Sequence, residues 1–190
     1  MKNNILKTGL MMILAITIAS FTSVSKKNIN IKDSTVSWKG HKVTGSHEGT
    51  INLSQGSLTF EGDKLSGGSF TIDMTTINVT DLDYKNGKEK LEAHLKSDDF
   101  FGVNNHKTAV FKINSVTGDK GKYRVFGDLT IKGTTKQATF QMMIKDNTAT
   151  AKFQIDRTEY DIRYGSASFF DNLKDKAIYD NFDLNVTLKF

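Results

Sequence analysis

A chain of 190 residues, 37% of them hydrophobic, is long enough for one domain with a real core, and the absence of cysteine excludes a disulfide framework. Twenty-six basic against 21 acidic residues give a formal charge of +5, spread along the chain without a cluster, which argues against a nucleic-acid footprint. Proline is also absent, so nothing interrupts long strands.

Residues 1–25 read as a secretory signal peptide. Lys2 and Lys7 form a basic start, Leu10 to Ala19 is a short apolar run, and Ser23-Val24-Ser25 offers small residues for cleavage. The domain is then 26–190, with a formal charge of +3 because the leader holds two lysines and no acid. The expected location is periplasmic or secreted.

The stretch Val36 to Leu53 reads as a strand. One parity of its second half gives Val43, Gly45, His47, Gly49, Ile51 and Leu53, and the other is polar. Two glycines flank His47 where a packed core would place larger residues, so the strand is expected to curve around a cavity with His47 on the cavity side. His47 is either a donor to a ligand or a core histidine bonded to a neighbour. Leu58 and Phe60 form the next run. Leu65 changes register against Phe70, Ile72 and Met74 across Gly67-Gly68, the pattern of a β-bulge.

Within Asn86 to Asp98, Leu91 and Leu95 stand four apart among charges, which predicts a short amphipathic helix. Phe100 and Phe101 follow in a loop and are expected to cover one end of the sheet. Alternation returns around Phe111, in Tyr123 to Ile131, Ala138 to Ile144, Ala149 to Ile155 and Phe182 to Phe190, with short turns at Asp119-Lys120-Gly121 and Asp146-Asn147. Ser168 to Ile178 holds room for one helical turn.

Eight to ten antiparallel strands with one apolar face each must close or pair to hide that face and their edges. The small inward residues Gly45, Gly49, Gly127, Ala138, Ala149 and Ala151 favour a barrel with a cavity, or else let neighbouring elements approach closely. Signals of catalysis are poor: there is no cysteine, no Gly-x-Ser-x-Gly, and no histidine pair at helical spacing. His41 and His47 share a face if the strand is unbroken, but no third ligand completes a metal site. Asp156-Arg157 with Tyr160 and Arg163-Tyr164 reads as an ion-paired corner that satisfies carbonyls, with a head-group site as the alternative. Asp81 and Asp83 read as solvated. Trp38, Phe60, Phe70, Ile72, Phe100, Phe101, Phe111, Phe169 and Phe170 are candidates to line an apolar pocket.

The residues also carry a resemblance. The stretches DSTVSWKGHKVTGSHEGTINLSQGSLTF, GGSFTIDMTTI, HLKSDDFFGVNNHKTAVF, FGDLTIKGTTKQATF, QIDRTEY and NFDLNVTLKF, spanning Asp33 to Phe190, resemble the YceI-like family of secreted, lipocalin-like, polyisoprenoid-binding proteins. The resemblance implies an all-β antiparallel barrel of about eight strands with one or two short helices and a pore for an isoprenoid chain. It carries over His47, Phe100, Phe101 and the inward strand residues to that pore. Lys107 and Gln137 stand where the family commonly has proline. The implied function is non-catalytic binding, storage or transport of an isoprenoid or other long apolar ligand such as an isoprenoid quinone, with no cofactor. The alternatives are an enzyme with His47 as acid or base, or a stress-related interaction protein with a filled barrel. Transient membrane-surface contact and a homodimer through edge and loop aromatics are further expectations.

Overall fold

The computed structural model describes residues 22–190. Most of the expected leader lies outside the described residues. Its expected cleavage site falls at the start of the first strand, β1 (Val24–Asn28), which pairs with Ser57 to Glu61.

β1 is followed by β2 (Asn30–Lys42), β3 (Gly45–Glu61), β4 (Lys64–Val79), the helix α1 (Lys88–Lys96), β5 (Thr108–Asp119), β6 (Lys122–Ile131), β7 (Thr134–Lys145), β8 (Thr148–Asp156) and β9 (Ile178–Lys189). Single 3-10 turns occupy Arg157–Tyr160 and Lys174–Lys176 between β8 and β9. Each strand from β2 to β8 pairs with the next, all antiparallel, and β9 returns to β2. Eight strands therefore close a barrel, which hides the apolar face of each and leaves no open edge among them. β1 extends the row of β2 along the far half of β3.

The stretch Val36 to Leu53 is not one strand but a hairpin. Val36 pairs with Ile51 and Lys42 with Gly45, leaving Val43-Thr44 at the turn. Alternation continues through a two-residue turn, so the period alone does not show the reversal, and neither turn residue is the Gly, Asn or Asp that marks tight hairpins. His41 and His47 consequently stand on neighbouring strands, opposite Ser46 and Gly40 respectively. The turns Lys120-Gly121 and Lys132-Gly133 are ordinary by contrast: all four residues have positive φ, as a type I′ turn demands. The β4 bulge sits at Ser66, since Leu65 pairs with Phe60 and Gly67 with Thr59. That is one residue before the predicted glycine pair.

One end of the barrel is plugged. Leu58 and Val125 are fully buried there, with Phe60, Leu65 and Tyr123 nearly so. The Phe60 and Phe190 rings meet at 5.8 Å, and Lys27 Nζ sits 5.1 and 5.2 Å from their centroids. The other end is capped by α1, whose Glu92 Oε1 accepts from the Val79 amide at 2.9 Å and whose Lys88 Nζ donates to Asn78 Oδ1 at 2.9 Å.

Two inward glycines exist because rings lie over them. A Cβ on Gly49 would meet the Asn78 carbonyl oxygen and come within 2.6 Å of the Trp38 ring; one on Gly127 would meet the Lys112 carbonyl oxygen and come within 2.6 Å of the Phe111 ring. These two are thus close-approach sites, not empty space. Around Gly40, by contrast, a Cβ would find nothing within 4 Å. Gly127→Ala is expected to lower the unfolding free energy by about 1–3 kcal/mol in urea titration, through overpacking. Gly40→Ala should change it by less than about 0.5 kcal/mol.

Candidate functional site

The lumen between plug and cap is not filled. An upper lobe of about 150 Å³ lies under α1, and a lower lobe of about 90 Å³ lies at mid-barrel. They share Val36, Ile72, Leu129 and Leu184 as walls. The upper lobe is further walled by Trp38, Ile77, Ile131 and Phe182 from the strands and closed above by Leu95, Phe100 and Phe101. The lower lobe rests on a chain of rings: Phe70 to Phe111 at 6.5 Å, Phe111 to Phe140 at 5.2 Å, and Phe140 stacked on Phe153 at 4.2 Å. Ala109 leaves room in the upper lobe, and Ala138 and Ala151 leave it in the lower one.

The space is large for a packing defect. An apolar cavity of about 150 Å³ stays dry and takes a benzene-sized molecule. By that measure the two lobes hold roughly ten carbons. The wall is almost wholly apolar, so no polar group directs a ligand within it.

The mouth lies at the seam of β2 and β9. Gly40 pairs with Phe182 and Lys42 with Ile178, so Tyr179 to Asn181 bulge opposite the single residue His41. Tyr179 lines the upper lobe and is 56% exposed, which brings the lobe to the surface there.

Arg157 repairs that bulge from the inside. It is 4% exposed, and its Nε, Nη1 and Nη2 donate to the carbonyls of Tyr179 (3.1 Å), Ile162 (2.7 Å) and Ile178 (3.0 Å). Asp180 Oδ1 stands 3.6 Å from Nη2, and the guanidinium lies 5.7 Å from the Phe100 ring. Burial lowers the Arg157 pKa, while the charges of Asp180 and Asp156 raise it. Burial raises the Asp180 carboxyl, but hydrogen bonds from Ser166 and Ser168 and the Arg157 charge leave it below the ordinary value. Burial and the nearby Glu159 charge push Tyr160 up to about 12. Of the corner expected from the sequence, Arg157 alone satisfies carbonyls; its ion partner is Asp180, that of Arg163 is Asp161, and only Arg157 among the named residues also touches the cavity wall.

Of the residues predicted to line a pocket, Trp38, Ile72, Phe100 and Phe101 wall the upper lobe, and Phe70, Ile72 and Phe111 the lower. Four do not. His47 has the inward parity but sits beyond the cavity top, where its Nδ1 meets Asp81 Oδ2 at 2.8 Å. Phe60 belongs to the plug. Phe169 and Phe170 are 47% and 50% exposed on the β8–β9 connection. Asp81, expected to be solvated, instead clamps the hairpin through His47 and the Glu48 amide. Burial raises the pKa of Asp81, yet these bonds bring it below its usual value. His41 pairs separately with Asp183 at 2.7 Å, and that carboxyl is held low by His41 and by Gln154. The sequence carries Leu129 and Leu184 only generally, among the inward residues of β6 and β9, and Arg157, singled out in a polar corner with a head-group site as the alternative, proves to line the upper lobe.

These features define a lipocalin-like closed barrel with an apolar cavity under a helical cap. The chain belongs to the YceI-like family: residues 28–190 match the YceI-like domain. It is 43% identical over 67 residues to a UPF0312 protein of Staphylococcus aureus, a match covering 35% of this chain and 36% of that relative's length. BcnA of Burkholderia cenocepacia superposes with a TM-score of 0.67 at 20% identity, over 84% of this chain and 98% of BcnA. A polyisoprenoid binding domain of Saccharophagus degradans, implicated in plant cell wall breakdown, superposes with a TM-score of 0.58 at 12% identity, over 87% and 97% of the two chains.

Arg157→Lys places one ammonium where three carbonyls need a fork, and is expected to cost about 3 kcal/mol of stability in urea unfolding. The carboxylates give a pH dependence of known sign. The folded pKa of Asp183 lies below the ordinary 3.8 of an aspartate, so its contribution is full above that value and lost as pH falls through the lower folded one. Asp183→Asn should therefore flatten the fall in stability below pH ~4, measured by denaturant titration from pH 6 to pH 3.

Proposed function

We propose that this chain is a non-catalytic binder of an isoprenoid or similar long apolar molecule, such as an isoprenoid quinone, which it carries or stores in the periplasm after export. The observation that supports this reading most is the unfilled lumen: two adjacent lobes sharing four wall residues, almost wholly apolar, the upper one reaching an exposed Tyr179. Family membership and the polyisoprenoid binding domain that shares the fold agree with it.

The energetics suit such a guest. Each buried methylene contributes about 0.8 kcal/mol, so a five-carbon unit gains up to about 3–4 kcal/mol gross. Lost translational freedom and tail ordering oppose this. Two units fill the lobes as they stand, and a longer tail leaves its remainder at the mouth. An enzyme reading would need a titratable pair facing the cavity. His47 and Asp81 form a pair, but neither lines a lobe.

Native mass spectrometry of protein purified without detergent should show a bound apolar adduct. In solution, affinity for prenyl alcohols should rise with each of the first two isoprene units and then level off. Ala109→Phe fills the upper lobe and should weaken binding at least about tenfold, whereas His47→Ala should change it less than about twofold, both read from the change in Trp38 emission on titration. A clean unliganded mass with no uptake of any prenyl alcohol would sink the reading.

A further inference from the structure

We propose that the rim of the mouth is a docking surface for a lipid bilayer, reached by shallow insertion of aromatic side chains. The inference rests on the carrier reading, because it concerns how the guest reaches the cavity.

Large exposed hydrophobic side chains are not spread evenly over this molecule. Of the eight among the described residues, five stand on segments joined at the mouth: Val43, Tyr164, Phe169, Phe170 and Tyr179. The remaining three, Val24, Tyr84 and Met143, stand on other segments. The joining is by hydrogen bonds. The Val43 amide donates to the Ala177 carbonyl at 3.1 Å, and the Ile178 amide to the Gly165 carbonyl at 2.8 Å. The Ser168 hydroxyl donates to Asp180 Oδ2 at 2.6 Å, and the Phe169 and Phe170 amides both donate to the Ser166 carbonyl. The aromatics thus share one small platform whose Tyr179 is also cavity wall. Single exposed apolar residues are ordinary, but a group of them on linked segments beside an opening marks an interaction site.

The chemistry of the group favours a bilayer as the occupant. Tyr164 and Tyr179 each join a ring to a hydroxyl, the combination enriched at the level of lipid headgroups, and two phenylalanines supply the part that enters the acyl boundary. Arg163 stacks on Phe169 at 4.6 Å and pairs with Asp161 at 3.1 Å. Charge is not the driving term. From Glu159 to Tyr179 the chain holds Arg163, Lys174 and Lys176 against Glu159, Asp161, Asp171 and Asp175. Attachment by burial of rings, with little electrostatic help, predicts weak dependence on salt. It also explains why the rings stand on segments tied to the one beside the mouth: a guest almost insoluble in water passes from bilayer to cavity without crossing solvent.

The test is flotation of the purified mature chain with vesicles of phosphatidylethanolamine and phosphatidylglycerol, at low and high salt. The wild type should float at both. The double variant Phe169→Ser/Phe170→Ser should bind at least about tenfold more weakly. Tyr84→Ser/Met143→Ser, on other segments, should float like the wild type. A Phe170→Trp variant should show an emission blue shift on adding vesicles. Uptake of a prenyl alcohol in vesicle-free solution should be equal in the wild type and the Phe169/Phe170 variant. Absence of flotation by the wild type, or equal loss in the two double variants, overturns the docking surface while leaving the carrier reading intact. So does a concentration-dependent dimer in sedimentation that Phe169→Ser/Phe170→Ser abolishes without altering flotation. Failure of prenyl uptake by the wild type removes the carrier reading, and this inference with it.

Discussion

The fixed circumference of the closed sheet governs the molecule. Eight paired strands enclose a set volume, and the inward side chains either fill it or leave it empty. At the plugged end, Leu58, Phe60, Tyr123 and Val125 fill it. At mid-barrel the ring chain Phe70, Phe111, Phe140 and Phe153 spans it, but Ala138 and Ala151 fall short. Higher up, Ala109 on β5 faces Trp38 and Phe182 across a space that none of them crosses, and Gly40, beside both on the β2–β9 wall, adds no side chain to it. The void is therefore a consequence of side-chain volume at a few positions, and its apolar lining keeps it dry.

The fold was legible because its signal is the period-2 pattern, which survives without knowledge of neighbours. β5 to β9 follow their predicted runs, and α1 lies within the predicted helical stretch. What the period does not carry is depth along the barrel axis. His47 and Gly49 have the same parity, yet Gly49 lies under the Trp38 ring while His47 stands at the rim beside Asp81. Phe60 has the inward direction and sits in the plug. The period also passes unchanged through the Val43-Thr44 turn, which is why one strand was expected where a hairpin stands. Small inward residues are equally ambiguous: Gly49 and Gly127 make way for rings, while Ala109, Ala138 and Ala151 border the void. Only the positions of large side chains on other strands separate the two cases.

Arg157 shows how the mouth is held open without leaving backbone groups bare. A bulge of three residues in β9 removes ladder partners, and buried carbonyls without donors are expensive. A guanidinium provides several donors in a rigid plane, so one side chain serves Ile162, Ile178 and Tyr179 together. Its polar edge is turned to the backbone and its carbon framework to the cavity, so the wall stays apolar although an arginine forms part of it. The ion pair with Asp180 and the ring of Phe100 offset the cost of burying the charge.

An unfilled lumen also bears on stability. Residual cavity in a protein core costs about 24 cal/mol per Å³, which puts the empty upper lobe on the order of 3–4 kcal/mol below a filled one. A five-carbon unit entering it gains a gross contribution of the same size. Vacancy cost and guest affinity are then two measures of one absent contact surface. With no cysteine available for cross-links, the barrel has little else to draw on beyond its core and its ladders. Occupancy of the native state alone would raise its stability by mass action, so a tightly binding guest makes the loaded barrel the more durable form. Filling the lobe permanently with larger side chains would give the same durability and abolish the exchange. The alanines at Ala109, Ala138 and Ala151 keep that space open.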